Sequence, residues 1–181
     1  MERASQDLMH EHEAILFSLK VLEEICNMVE SRKDVLIKDI TDLIDFLKLF
    51  ADKCHHGKEE GFLFPALKEA GIPADNGPIA VMLAEHTMGR DFIRQMQEST
   101  TDKAFRKDEF GKSARGYISL MRAHIQKENN VLFPMGDAKL SDAKQRELIE
   151  SFEKFEEDVI GKGKHEELHK QLHEFNSKYL K

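Results

Sequence analysis

An eleven-residue segment occurs twice in this 181-residue chain with the same pattern of polar and apolar residues. The first copy, HHGKEEGFLFP, begins at His55, and the second, HIQKENNVLFP, begins at His124. A Glu-His pair precedes each copy, at residues 11–12 and 85–86. Matching segments in the same order indicate an internal duplication, so the sequence predicts two copies of a two-helix unit.

Apolar residues recur every three or four positions around these motifs, a period that predicts amphipathic helices. Four such stripes occur, at residues of about 5–31, 34–64, 78–98 and 105–133. Pro65 and Pro134 follow the second and fourth stripes and are expected to end those helices. Alternation of the kind typical of strands is missing. The sequence therefore predicts an all-α fold, an up-down four-helix bundle.

The residues from Ser141 onward lie outside the duplication. They continue with a helical apolar stripe, which GKG at residues 161–163 interrupts before a second stripe resumes. We therefore expect residues 1–140 to form the bundle and residues 141–181 to form a C-terminal helical extension that packs on it.

The charge balance limits the classes of partner. The chain has 34 acidic and 27 basic residues, a formal net charge of −7, which argues against nucleic acid or an anionic membrane as the main partner. Its first residues contain no apolar signal core, and no run approaches the roughly 20 apolar residues of a membrane span, so we expect a cytoplasmic protein. Cys26 and Cys54 are too few for a disulfide framework and are expected to be buried and reduced.

The spacing inside each motif indicates metal ligands. His55 and Glu59 lie four residues apart, as do His124 and Glu128, so each pair leaves one face of its helix. A carboxylate on a buried face is costly unless it is paired, and a metal ion would provide that pairing. Imidazole and carboxylate ligands without thiolate suit a first-row transition metal, and iron fits best. The predicted ligands of two such ions are His12, His55, Glu59, His86, His124 and Glu128.

One pair of ligands has a direct competitor in the sequence. His56 and Glu60 have the same spacing as His55 and Glu59, and alignment on Leu-Phe-Pro favours the latter pair. On a regular helix the competing pair lies about 100° away from the buried stripe. Glu60 stays open as an additional ligand or as a hydrogen-bond partner of a ligand imidazole.

Other histidines fall outside this pattern. His10 lies close to His12, but the Glu-His motif shared by the two halves favours His12. His165, His169 and His173 form a row at four-residue spacing, which we interpret as a polar helix face.

Together these residues resemble the hemerythrin-like family, in which HHE cation-binding domains hold a non-heme diiron centre inside a four-helix bundle. The likeness covers roughly residues 5–135 and is carried by the two Glu-His pairs and both eleven-residue motifs. The resemblance implies an oxo- or hydroxo-bridged pair of iron ions, although the residue pattern does not distinguish iron from manganese or zinc. It implies four terminal ligands and two bridging ligands, namely His12, His55, His86 and His124, with Glu59 and Glu128 as the bridges.

Two departures separate this chain from the oxygen-carrying members. Those members have a second histidine one turn after the third-helix ligand, where this sequence has Arg90, and an aspartate in the fourth helix, where it has Glu128. Four imidazoles would then replace five, and about two of about twelve coordination positions would stay open. We expect Arg90 and Tyr117 to lie beside the ions, with Arg90 able to stabilise a bound anion.

Two open positions favour reaction with, or sensing of, O2, peroxide or nitric oxide over simple oxygen transport. The expected partners are therefore a small gaseous or peroxide ligand and, for turnover, an electron-donor protein. Three classes of function stay open: a diiron oxidoreductase, a reversible binder or sensor, and an iron-storage or metal-stabilised interaction domain without redox turnover. A sensor usually needs a fused output module, which this sequence does not show.

Overall fold

A computed structural model of the chain describes residues 3–101 and 104–180, with the backbone alone for His165. Within these ranges the chain is helical and contains no strand, as the periodicity predicts. None of the described helices is long and apolar enough to cross a membrane. The described residues form six helices, which are α1 (Ala4–Glu30), α2 (37–69), α3 (Pro78–Thr101), α4 (107–139), α5 (Asp142–Val159) and α6 (Lys164–Tyr179).

Helices α1 to α4 form the bundle. They pack side by side in chain order, and α4 closes the ring against α1. Short links join them, so successive helices run in opposite directions. Helix α5 packs outside this ring against α1 and α2, and α6 packs against α1. The predicted four-helix bundle with additional C-terminal helices is therefore confirmed.

Two clusters of buried apolar side chains fill the two ends of the bundle. Along α1 one cluster includes Leu8 and the other starts at Ile15, and along α2 one ends at Cys54 and the other starts at Leu63. Helices α3 and α4 divide between the clusters in the same way. The histidines and glutamates of the repeated motifs lie between the two clusters, so they form a polar layer across the middle of the bundle.

Helices α2 and α4 depart from regular α geometry beside this layer. Helix α2 contains π-helical turns at Leu47–His56 and Glu59–Leu63, and α4 contains one at Glu128–Leu132. Pro65 and Pro134 come directly after such turns, in the first turn of a renewed α-helix, where the missing N–H and the ring are tolerated. The expectation that these prolines end the two helices is wrong, because both helices continue past them.

Candidate metal centre

Seven buried side chains from all four bundle helices meet in the polar layer, and each is no more than 2% exposed. Their ligand atoms form two groups, within each of which the atoms lie no more than 4.8 Å apart. We call them the three-histidine group (His56, Glu59, His86 and His124) and the two-histidine group (His12, His55, Glu59 and Glu128). The structure thus brings together all six ligands predicted from the sequence and adds His56 to them.

Both carboxylates extend from one group to the other. Glu59 places Oε1 3.5 Å from Nε2 of His55 and Oε2 3.3 Å from Nε2 of His86. Glu128 does the same, with its oxygens 3.2 and 3.3 Å from one imidazole nitrogen of each group. This is the arrangement that two carboxylates need in order to bridge two ions.

Most of the inward-facing atoms of the centre lack a hydrogen-bond partner within the described residues. Nε2 of His12, His55 and His56 and all four oxygens of the two glutamates have no hydrogen-bond partner. Nε2 of His86 and Nε2 of His124 face each other at 3.2 Å. Buried polar atoms in proteins are nearly always paired, so these unpaired atoms indicate a ligand site. Two nitrogen ligands that lie about 2.1 Å from one ion and at right angles are about 3.0 Å apart, close to the separation of the His86 and His124 nitrogens. The donor set therefore fits metal ions, and its chemistry suits iron.

The two competing pairs of the sequence, His55 with Glu59 and His56 with Glu60, are not alternatives in the structure. His55 and His56 both point into the centre, one toward each group, and only Glu59 accompanies them. The π-helical turn that ends at His56 changes the angle between successive side chains, which the argument from regular helical spacing did not include. The signal for His56 was Arg90, which stands where the oxygen-carrying members have a further histidine, because a site with five imidazoles would then take one from elsewhere in the chain.

Four of the imidazole rings form a hydrogen bond through their outer nitrogen, Nδ1, with a side chain of a neighbouring helix. His55 bonds with Glu11 (2.7 Å), His124 with Glu85 (2.9 Å), His86 with Glu60 (2.7 Å) and His12 with Asn129 (2.8 Å). An Nδ1–H that donates outward leaves the lone pair of Nε2 directed inward, as metal ligation requires. These partners also follow the duplication, because Glu60 and Asn129 occupy equivalent positions of the two motifs. The glutamates of the Glu-His pairs, used only for alignment, thus orient the ligands of the adjacent helix.

Two lysines at equivalent positions of the motifs hold those glutamates. Lys58 donates to Glu11 at 2.7 Å, and Lys127 donates to Glu85. Lys58 is buried at 1% exposure, and although burial lowers its pKa, the carboxylates of Glu11, Asp7 and Glu156 together raise the pKa above its usual value. Lys58 therefore stays charged. Their positions in the repeat suggested only solvated residues that flank the motif glutamates, and this interpretation is wrong for Lys58, which is buried.

Arg90 and Tyr117, which were both expected to lie beside the ions, have different surroundings in the structure. The guanidinium of Arg90 donates to Asp52 at 2.7 Å and to Glu60 at 2.8 Å, so it holds the carboxylate that accepts from His86. It contacts these outer carboxylates rather than the space between the ligands, which differs from the expected contact with a bound anion. Tyr117 is buried in the apolar cluster, and its hydroxyl has no partner in the described residues.

The comparisons with known proteins agree with this geometry. The family described as hemerythrin HHE cation binding domain matches residues 3–136. The chain belongs to that family. Uncharacterised proteins of Mycobacterium bovis and of two strains of Mycobacterium tuberculosis are 25% identical over 154 residues, an alignment that covers 83% of this chain. The HHE chain spans only 60% of the length of these curated relatives. No solved structure matches it significantly.

Without ions, the HHE centre shares protons among its buried groups. Burial lowers the pKa of His55 and His56 well below the usual value, which keeps both imidazoles neutral. Burial, followed by the charge of Glu128, raises the pKa of Glu59. Burial also acts to lower the pKa of His86, but the carboxylates of Glu59, Glu60 and Glu128 together outweigh it, and the pKa is raised to about 9. A metal ion must therefore displace protons in order to bind.

A third set of potential metal ligands consists of Glu11, Cys54 and Glu156. A cation of the chain itself, Lys58, binds the two carboxylates of this set. The ammonium of Lys58 lies 2.7 Å from Glu11 and 2.9 Å from Glu156, which fills the position a metal would take. Cys54 and Cys26 are buried and unpaired, as predicted. Burial raises the pKa of each thiol to about 12, so neither is a thiolate at neutral pH.

The histidines that were expected to lie outside the metal centre are at the surface where their side chains are described. His10, His169 and His173 are exposed and line a cavity of about 300 Å³ between α1 and α6. They belong to neither donor group, which agrees with their interpretation as polar surface residues. The side chain of His165 lies outside the described residues.

Proposed function

We propose that this HHE chain holds two iron ions in the polar layer and binds a small redox molecule, such as O2, peroxide or nitric oxide, at one open coordination position. One observation carries the proposal: seven buried donors form two groups joined by two carboxylates, and most of their inward atoms have no partner in the described residues. Two iron ions held there would supply redox equivalents and a position for such a molecule.

Counting ligands supports one open position rather than two. Two octahedral ions have about twelve positions. Five imidazoles would fill five of them, two bridging carboxylates four, and an oxo or hydroxo bridge two. The three-histidine group is then complete and the two-histidine group lacks one ligand. The expectation of two open positions came from counting four imidazoles, so the argument against reversible binding no longer applies.

The two halves of the duplication differ at the position that decides this count. His56 follows His55 in the first motif, whereas Ile125 follows His124 in the second. Ile125 is buried in the apolar cluster that starts at Ile15, on a regular α-helical part of α4, so the second half offers no imidazole equivalent to His56. Phe133 stacks on His12 with ring centroids 5.5 Å apart and forms an apolar wall of the two-histidine group. Such a wall excludes water and favours a small uncharged ligand.

The proposal is tested first by elemental analysis of natively purified protein, for which we expect about two iron ions per chain. The ferrous protein, prepared without oxygen, is then titrated with O2, H2O2 or NO while its visible spectrum is recorded. We expect a reversible change with one equivalent of ligand. Sustained consumption with an added electron donor would instead support a diiron oxidoreductase, and full iron content without any spectral response would support iron storage or handling.

A variant at the asymmetric position tests where the ligand binds. We propose that the imidazole of Ile125→His, at the position equivalent to His56, occupies the open coordination position, so two iron ions should remain bound while the spectral response falls by at least about tenfold. Ile125→Leu, which conserves volume, is the matched control and should respond like the parent. An unchanged response in Ile125→His would contradict the assignment.

A further inference from the structure

Helix α5 lies beyond the family-matched residues, yet one of its side chains reaches the hydrogen bonds around the centre. Oε2 of Glu156 accepts from Nζ of Lys58 at 2.9 Å. Lys58 also donates to Oε1 of Glu11 at 2.7 Å, and Oε2 of Glu11 accepts from Nδ1 of His55 at 2.7 Å. A continuous series of charge-assisted hydrogen bonds therefore connects α5 with a ligand of the two-histidine group.

Aromatic packing holds the part of α5 that carries Glu156 against α2. The ammonium of Lys58 lies 5.6 Å from the centre of the Phe152 ring, and the ring of Phe155 lies 5.3 Å from that of Phe62. Phe155 also lies so close to Gly57 that an added Cβ would be 2.8 Å away from it. The absence of a side chain at Gly57 thus allows α5 to approach the turn that carries His55.

The equivalent hydrogen bonds of the second half are more exposed to solvent than those that α5 covers in the first. Lys127 donates to Glu85, which accepts from His124, but Lys127 is 41% exposed. Among the described residues Lys127 pairs with Glu85 alone, whereas Lys58 pairs with three carboxylates. The duplication thus provides two matched sets of ligand partners, of which α5 contacts only one.

We propose that Glu156 is a positioning residue that tunes the ion of the two-histidine group, through Lys58 and Glu11, and leaves the other ion unaffected. This inference rests on the proposed dinuclear centre. The charge of Glu156 offsets part of the charge of Lys58, so Glu11 accepts more strongly from Nδ1 of His55. A stronger acceptor makes the imidazole a more basic ligand, which stabilises the more oxidised ion.

The test is Glu156→Gln in the full chain loaded with iron. A redox titration followed by Mössbauer spectroscopy resolves the two ions. We expect the reduction potential of one ion to rise while that of the other stays unchanged, together with a loss of affinity for one ion of no more than about tenfold. Glu157→Gln is the control, because this exposed neighbour loses the same charge without a contact to Lys58.

Two further variants separate tuning from a loss of structure. Glu156→Asp keeps the charge and should restore most of the parent's potential, which a purely structural role would not require. Lys127→Gln, on the other half, should change the potential of the other ion. Equal shifts of both ions in Glu156→Gln, or a shift no larger than that of Glu157→Gln, would overturn the inference alone. A parent protein without two bound irons would overturn the proposed function as well.

Discussion

At the scale of single residues, the centre is a duplication with a few decisive differences. Equivalent positions carry His56 and Ile125, and Glu60 and Asn129, while Glu59, Glu128 and the glutamates of the Glu-His pairs are the same in both halves. The first difference accompanies the unequal number of imidazoles, which is three in one donor group and two in the other. The second exchanges a carboxylate for an amide as the acceptor for a ligand ring. A charged acceptor makes its imidazole a more basic ligand than a neutral one does, so the two donor groups differ in their surroundings as well as in the number of imidazoles.

The roles of His56 and Glu60 can be separated by substitution. We expect His56→Ala to lower the iron content from about two ions to about one, because the three-histidine group loses a ligand. Glu60→Gln should keep both ions, because the amide oxygen still accepts from Nδ1 of His86. Iron is measured after gel filtration, with His169→Ala as the surface control. A larger loss of iron in Glu60→Gln than in His56→Ala would reverse these assignments.

At the scale of secondary structure, periodicity predicted the bundle helices and the repeat predicted six of the seven donors. Three features could not be predicted in this way. The π-helical turns change the spacing of side chains locally, which hid the inward direction of His56. The partners Glu11 and Glu85 act on another helix, so no local pattern showed their role. Glu156 reaches Lys58 through the packing of an added helix, which is a tertiary contact without a sequence motif.

Two glycines of α2, one turn apart, test how closely α5 packs. Gly57→Ala would place its Cβ 2.8 Å from Phe155, while nothing lies within 4 Å of a Cβ at Gly61. Alanine at position 61 should raise the free energy of unfolding by about 0.5–1 kcal/mol through helix propensity. At position 57 overpacking costs about 1–3 kcal/mol and should outweigh that gain, so we expect net destabilisation. Urea denaturation of both variants measures the difference, and equal stability would contradict the close contact.

At the scale of the whole molecule, metal binding is linked to proton release. In the metal-free protein burial raises the pKa of Glu59, and neighbouring carboxylates raise the pKa of His86 to about 9, so this hydrogen-bonded pair holds a proton at neutral pH. Ligation needs both groups deprotonated, so affinity should fall as the pH falls, by about tenfold per pH unit for each proton displaced. Competition with a chelator at several pH values near neutrality measures this dependence. An affinity independent of pH would show that these groups are already deprotonated.

The position of the centre between two apolar clusters also bears on how iron exchanges. All seven donors are nearly inaccessible to solvent, so a bound ion can leave only when helices separate locally. The rate of release is then set by the opening of the protein and not by the strength of any competing chelator outside. If the centre holds iron as proposed, its iron content follows a change in the surrounding metal supply only as fast as these helices open.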